Sequence, residues 1–169
     1  MESIITSMLA IALLIFGAVT TYNATSANVT QAADSVKEVN IQSLERLQTQ
    51  ISLGSIAIDS DGLGFQASVL NNGQETITAF SRMDLIVDYF DGTGARVMRS
   101  LSYQTGPASP GEWMVLAITD DRFNPRLLDP GESLVVVGKL TQAIGIGQPI
   151  RIVVSSPNGA SASAAVTRP

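Results

Sequence analysis

The chain opens with Met1-Glu2-Ser3 and continues Ile4-Ile5-Thr6-Ser7-Met8-Leu9-Ala10-Ile11-Ala12-Leu13-Leu14-Ile15-Phe16-Gly17-Ala18-Val19. The run from Ile4 to Val19 is almost unbroken in its apolar character, and no lysine or arginine occurs before Lys37. Leu9, Leu13, Leu14, Ile15 and Phe16 make the segment apolar on every side of a helix, which suits burial all round. Ala10, Ala12, Gly17 and Ala18 are small enough to let neighbouring helices approach closely. The run leaves one end of the chain unable to stay in water alone.

Three readings compete for this run. A secretory signal peptide needs a positive start and a small-residue cleavage site. Here the start holds no cation except the amine, and residues 20–25 continue as a helix would. A transmembrane anchor needs about 20 apolar residues, and this run is slightly shorter, with no basic flank to orient it. The third reading is a helix that first sits in the membrane and then packs against copies of itself.

Beyond the run, the chain turns polar but keeps an apolar set at Val29, Ala33, Val36, Val39, Leu44, Leu47 and Ile51. These spacings of mostly three or four predict a helix with one apolar stripe, with Gly54 as its stop. A continuous helix over about 50 residues would be roughly 75 Å long at ~1.5 Å per residue. That is too long to pack on the remaining head, so most of it must find partners elsewhere.

From Ile51 onward the pattern changes to short β-runs separated by turn residues. Strands are predicted at Ile51–Asp59, Gly64–Asn71, Thr76–Ala79, Asp84–Phe90, Arg96–Tyr103, Glu112–Thr119, Ser133–Leu140, Ile150–Ser155 and Ala160–Thr167. Asp61-Gly62, Asn72-Gly73, Asp91-Gly92, Pro130-Gly131 and Asn158-Gly159 mark the tight turns. The reading is an α+β chain: a long N-terminal hydrophobic and amphipathic α-helix (1–53), then an immunoglobulin-like all-β sandwich (54–169). The small alternating tail, Ser161 to Val166, suits a last strand closely covered by a neighbour.

Composition removes whole classes of function. The chain has no cysteine and no histidine, so disulfides, thiolate or imidazole metal sites and histidine-activated nucleophiles are excluded. The net charge of −5 divides into −2 for residues 1–53 and −3 for the remainder, without a basic patch. Nucleic acid therefore has no electrostatic footprint. Asp59-Ser60-Asp61-Gly62 and Asp120-Asp121 carry calcium-type oxygens, but the ligand spacing of an EF-hand is missing, and solvated turns account for them. Asp88 and Asp91 flank a hairpin tip with no apolar pocket to raise a carboxyl pKa. No catalytic residue, cofactor or metal is expected. Asn23-Ala24-Thr25 and Asn28-Val29-Thr30 are N-glycosylation sequons. Trp113, Tyr89, Phe90 and Tyr103 are expected as packing residues.

Several stretches of the head carry a family resemblance. Ser68-Val69-Leu70-Asn71-Asn72-Gly73 is similar to a strand followed by an N-x-G turn. Phe80-Ser81-Arg82-Met83-Asp84-Leu85-Ile86-Val87-Asp88-Tyr89 resembles a strand of the form F-x-x-F/M-D-V-I-V-D-Y. Leu128-Asp129-Pro130-Gly131-Glu132 resembles an L-x-P-G-E loop, and Ser156-Pro157-Asn158-Gly159-Ala160 a T-P-N-G hairpin. In this order, behind the hydrophobic helix, they resemble the archaellin-type members of the type IV pilin superfamily, with their stator-like relatives. Two features depart from that pattern. No short basic leader precedes the run, so the chain is expected to be mature or processed differently. The fifth position is Ile5 rather than glutamate, the nearest acid being Glu2.

The resemblance implies a non-enzymatic structural subunit of a helical filament used for swimming. Its assembly core would be Ile4, Ile5, Met8, Leu9, Ile11, Leu13, Leu14, Ile15, Phe16 and Val19. Its partners would be copies of itself, the motor and assembly machinery, and the cytoplasmic membrane before assembly. Its place would be outside the cell. A membrane-anchored stator-type envelope protein and an adhesive pilus subunit are the alternatives.

Overall fold

Apolar residues at every second position form strands because alternate side chains of an extended chain point to opposite faces. A computed structural model describes residues 8, 11, 13–17, 20, 37, 48–121 and 123–169. The chain divides into two compact units, Met1–Ser43 and Leu44–Pro169. In the first, residues 8, 11, 13–17, 20 and 37 are helical. The Thr20 hydroxyl donates back to the carbonyls of Phe16 and Gly17 at 3.0 and 2.9 Å, so this polar side chain is satisfied on its own helix. Ile4, Ile5, Leu9, Val19, Asn23, Asn28 and the amphipathic set from Val29 to Leu47 lie outside the described residues.

The second unit holds eight strands: β1 (Ile51–Ile58), β2 (Gly64–Asn71), β3 (Asp84–Phe90), β4 (Arg96–Gln104), β5 (Glu112–Thr119), β6 (Ser133–Lys139), β7 (Pro149–Ser155) and β8 (Ser161–Thr167). They hydrogen-bond in the order β1-β2-β6-β5-β4-β3-β7-β8, a nearly barrel-like arrangement in which β1 and β8 also lie close together. The all-β head is as expected. Its finer form differs from two separate sheets in one respect. β4 and β5 pair in parallel through Ser102, Tyr103 and Gln104 with Glu112, Trp113 and Met114, and this joins the halves into one sheet. Gly111 makes that junction: its carbonyl accepts from the Ser102 amide at 3.1 Å and its amide donates to the Lys139 carbonyl at 2.8 Å. Its φ of +90° is open to glycine without steric cost.

The core follows the alternation. Leu85, Val87 and Tyr89 of β3, and Ile150, Ile152 and Val154 of β7, are buried. β2 and β6 contribute Phe65, Val69, Leu134 and Val136. Phe65 pairs across the ladder with Gly138, and Trp113 pairs with Gly138 from the other side. A Cβ at Gly138 would collide with the Phe65 ring and would meet Leu101 Cδ1 at 3.1 Å. The missing side chain is thus the space in which the ring lies.

Two sequence expectations are corrected. Gly54 does not stop a helix; it lies within β1, where the register shifts between Leu53 and Ile56. Gly54 and Ser55 together oppose Ser68, a β-bulge. The Ser55 amide donates to Ser68 Oγ at 3.1 Å, and a Cβ at Gly54 would strike that hydroxyl. The predicted strand Thr76–Ala79 does not form either. Only Ile77 finds a partner, an isolated bridge to Leu128, and the chain then enters a 3₁₀ turn at Phe80–Arg82.

Two of the turn motifs meet as one buried polar knot. Asn71 is fully buried and donates from Nδ2 to the carbonyls of Glu75 (2.8 Å) and Leu128 (3.0 Å). Its Oδ1 accepts from the Gly73 amide at 3.0 Å. Asp129 accepts from the Thr76 hydroxyl at 2.6 Å and from the backbone and side-chain nitrogens of Asn124 at 3.0 and 3.1 Å. The Glu132 carboxylate in turn accepts from the Asp129 amide at 3.0 Å. Full pairing is what makes such burial tolerable.

Two outcomes are expected. Gly138→Ala should cost the head about 1–3 kcal/mol through overpacking, read as a lower denaturant midpoint in Trp113 fluorescence. The hydrogen bonds from Thr76, and then those from Asn124, hold the Asp129 carboxyl below the ordinary aspartate range. The unfolded chain therefore takes up this proton first, and the stabilisation is full above a pH of about 4. It is lost as pH falls through the lower folded value. Unfolding midpoints measured against pH should show this acid-side decline, and Asp129→Asn should flatten it.

Candidate functional site

The apolar start of the chain presents side chains in every direction. Met8, Ile11, Leu13, Leu14, Ile15 and Phe16 are between 56% and 73% exposed. Successive residues of a helix are turned by about 100°, so the consecutive Leu13, Leu14, Ile15 and Phe16 cannot all face one partner surface. These six are the described members of the ten expected assembly residues. Among the described residues, no helix is long and apolar enough to cross a membrane.

The acidic residues singled out in the sequence have structural partners. Asp59 pairs with Lys139 Nζ at 2.8 Å, and Asp61 Oδ1 accepts from the Leu63 amide at 2.8 Å. Asp88 takes two bonds from the Arg96 guanidinium, at 2.8 and 2.7 Å. That contact holds the Asp88 carboxyl below its usual range and raises Arg96. Asp91 accepts from the Thr93 hydroxyl at 2.6 Å and from the amides of Thr93 and Ala95 at 2.8 and 3.0 Å. These bonds, led by the Thr93 hydroxyl, depress its pKa and build the β3–β4 turn. Asp121 accepts from the Arg126 amide at 3.1 Å. Among the described residues, no group of three or more acidic side chains is placed to hold a metal ion.

The aromatic residues divide between core and surface. Trp113 is buried, with its ring 4.9 Å from that of Tyr103 in an edge-on arrangement at 63°. Its indole Nε1 has no hydrogen-bond partner, so the ring serves by volume and shape. Tyr89 is buried and donates its hydroxyl to the Gln142 carbonyl at 3.0 Å; desolvation pushes its pKa up. Phe90 departs from the packing expectation. It follows Leu85, Val87 and Tyr89 on the opposite parity of β3 and is exposed.

The head surface carries two apolar prominences that the sequence reading missed. Phe123 is 83% exposed and Ile146 is 78% exposed, the highest values among the described large apolar residues of the head. Each is a lone bulky residue inside turn chemistry, Asp121-Arg122-Phe123-Asn124-Pro125 and Gly145-Ile146-Gly147. That isolation is the signal that could have found them. Ile146 stands at a recess of about 430 Å³ between the turn at 91–94 and the loop at 143–148, with Arg168 beside it. Arg168 braces this end of the head by donating to the carbonyls of Ile144 and Ser60. A second cleft of about 350 Å³ lies along β5, lined by Phe80, Tyr103, Val115 and Leu116. Leu116 is the extra residue of a bulge between Val115 and Ala117, which turns it outward.

No protein-family model matches the chain, and no curated protein sequence does. Solved structures do share its fold. The archaeal flagellum of Methanospirillum hungatei strain JF1 is 17% identical with a TM-score of 0.59, over 96% of this chain and 91% of that one. The archaellum periplasmic stator protein complex of FlaF and FlaG from Sulfolobus acidocaldarius is 20% identical with a TM-score of 0.53, over 70% and 89%. Archaeal flagellin FlaB1 from Methanocaldococcus jannaschii is 15% identical with a TM-score of 0.52, over 72% and 90%. The fold of this chain is that of archaellum components, filament and stator proteins alike.

Proposed function

We propose that this protein is the structural subunit of an archaellum-type helical filament used for swimming, with no catalytic role. The observation that carries the reading is the helical stretch Leu13, Leu14, Ile15 and Phe16, exposed in the single chain. Such a helix needs apolar surroundings on all sides, and a bundle of its own copies supplies them. Burial of each large apolar side chain contributes about 1.5–3 kcal/mol. The extent of one likeness adds support: the filament of M. hungatei matches 96% of the chain.

In this reading, the N-terminal helix, first expected over 1–53, lies in the membrane before assembly and in the filament core after it, while Ile51–Leu53 belong to β1 of the head. Ile4, Ile5, Met8, Leu9, Ile11, Leu13, Leu14, Ile15, Phe16 and Val19 form the core. The head, which the strand at Ile51 opens, is the immunoglobulin-like part that tiles the outside of the cell-surface filament. Copies of the chain, the archaellum motor and its assembly machinery are the partners. Asn23 and Asn28 are the proposed glycan acceptors. An intact-subunit mass equal to that of the bare polypeptide would remove them.

A membrane-anchored stator-type envelope protein is the second reading. It is favoured by the 20% identity to the stator complex and by coverage of 89% of that chain. Electron microscopy of the purified native particle separates the two, because only the first forms a helical polymer. Leu13→Asp should abolish filaments while the head keeps its wild-type unfolding midpoint. Normal filaments from that variant would remove the core assignment.

A further inference from the structure

Gln48, Thr49 and Gln50 lead into β1 and belong to the same compact unit as the strands. The last paired position of β1 and β2 is Ile51 with Asn71, but the hydrogen bonding does not stop there. The Asn72 amide donates to the Gln50 carbonyl and the Gln74 amide to the Gln48 carbonyl, both at 2.8 Å. Between them Gly73 faces Thr49. A Cβ at Gly73 would lie 2.5 Å from the Gln48 carbonyl oxygen and 2.6 Å from the Gln50 nitrogen. The glycine is therefore what lets the two backbones approach so closely.

The other Asn-Gly turn reaches the same three residues from the far end of the sheet. β1 and β8 are the two ends of the strand order and lie close together, yet among the described residues no strand pairing joins them. Side chains bridge that seam instead. Asn158, in the turn before β8, donates from Nδ2 to Thr49 Oγ1 at 3.0 Å, and Thr49 is only 3% exposed. At the opposite end of the seam Arg168 donates to the Ser60 carbonyl at 2.8 Å.

The two turns share one design. An asparagine before glycine can close its own turn through its side chain, but here a neighbour does that work. Asn71 Oδ1 accepts from the Gly73 amide at 3.0 Å. Ser156 Oγ accepts from the Ala160 amide at 3.1 Å, and its carbonyl from the Gly159 amide at 2.9 Å. Asn72 and Asn158 are thus left to reach the start of β1, at Ser52 Oγ (2.9 Å) and at Thr49.

We infer that the two Asn-Gly turns form a clasp on Gln48–Gln50, which makes the attachment of the N-terminal unit a held neck and not a free tether. A pull along the chain is shared between β2 and the β7–β8 turn before it reaches β1. The clasp goes beyond the filament reading and would act equally in an anchored envelope protein, where the same attachment carries the head.

Hydrogen exchange on the native particle of the full-length chain tests this, because exchange reports local opening. The Asn72 and Gln74 amides should be as protected as those of the β1–β2 ladder. Asn158→Ala should speed their exchange roughly fivefold, as for one hydrogen bond of ordinary net strength, while the denaturant midpoint read by Trp113 fluorescence stays at its wild-type value. Gly73→Ala should remove the protection. Free-peptide exchange of Asn72 and Gln74 in the unsubstituted chain would overturn the clasp. Exchange unchanged by Asn158→Ala would overturn the part given to the second turn. A uniform rise across the head with a lower midpoint would mark Asn158 as a general stabilising residue and overturn the clasp as well.

Discussion

The Phe65 ring lies in the space that Gly138 leaves empty, and the rest of the head depends on that fit. β6 hydrogen-bonds to β2 on one side and to β5 on the other, so a distortion at Gly138 would reach both ladders. Trp113 closes the same place from β5, and Leu101 approaches it from β4. Interiors are packed at crystal-like density, so a single added carbon there displaces buried rings rather than a flexible surface group. The strand so anchored also sets the distance between the loops at its two ends.

Polar chemistry in this head serves geometry. Asp91, Asp61 and Asn71 each accept from backbone amides two residues further on, which turns the chain where the sequence shows Asp-Gly or Asn-Gly. The Asn71 and Asp129 motifs, 58 residues apart in sequence, become one knot because Asn71 Nδ2 reaches the Leu128 carbonyl. Carboxylates that resemble ligands or catalytic pairs in the sequence are thereby committed to amides, hydroxyls and basic side chains. The resemblance motifs are, in physical terms, strand β3 and turns that close this sheet.

The two units set different requirements for association. Met8, Ile11 and Leu13 to Phe16 of the first unit are apolar on all sides and need an environment that surrounds them. The head has a packed core and offers only local apolar points among the described residues, Phe123 and Ile146 foremost. In the proposed filament, the non-directional burial term would come from one unit and sparse, shape-dependent contacts from the other.

Much of the head was legible in the sequence. Alternating apolar residues with Asn-Gly and Asp-Gly turns placed all eight strands, and β2, β3 and β5 match to the residue. Alternation is a local property that a pleated strand must obey. Strand existence failed at Thr76–Ala79 because a strand also needs a neighbour, and only Ile77 has one, in Leu128. Gly54 was misread because a glycine that ends a helix and one that makes room for a bulge look alike until Ser68 is seen opposite it. The apolar character of the described helical residues 8, 11 and 13–16 was legible from the run Ile4 to Val19, since hydrophobicity without a polar side is a property of composition alone. What the tertiary structure decided was relative position: the single sheet joined through β4 and β5, the space beneath Phe65, and the meeting of the two Asn-Gly turns at residues 48–50. Those depend on which strands lie side by side, and a linear pattern of side chains carries no record of that pairing.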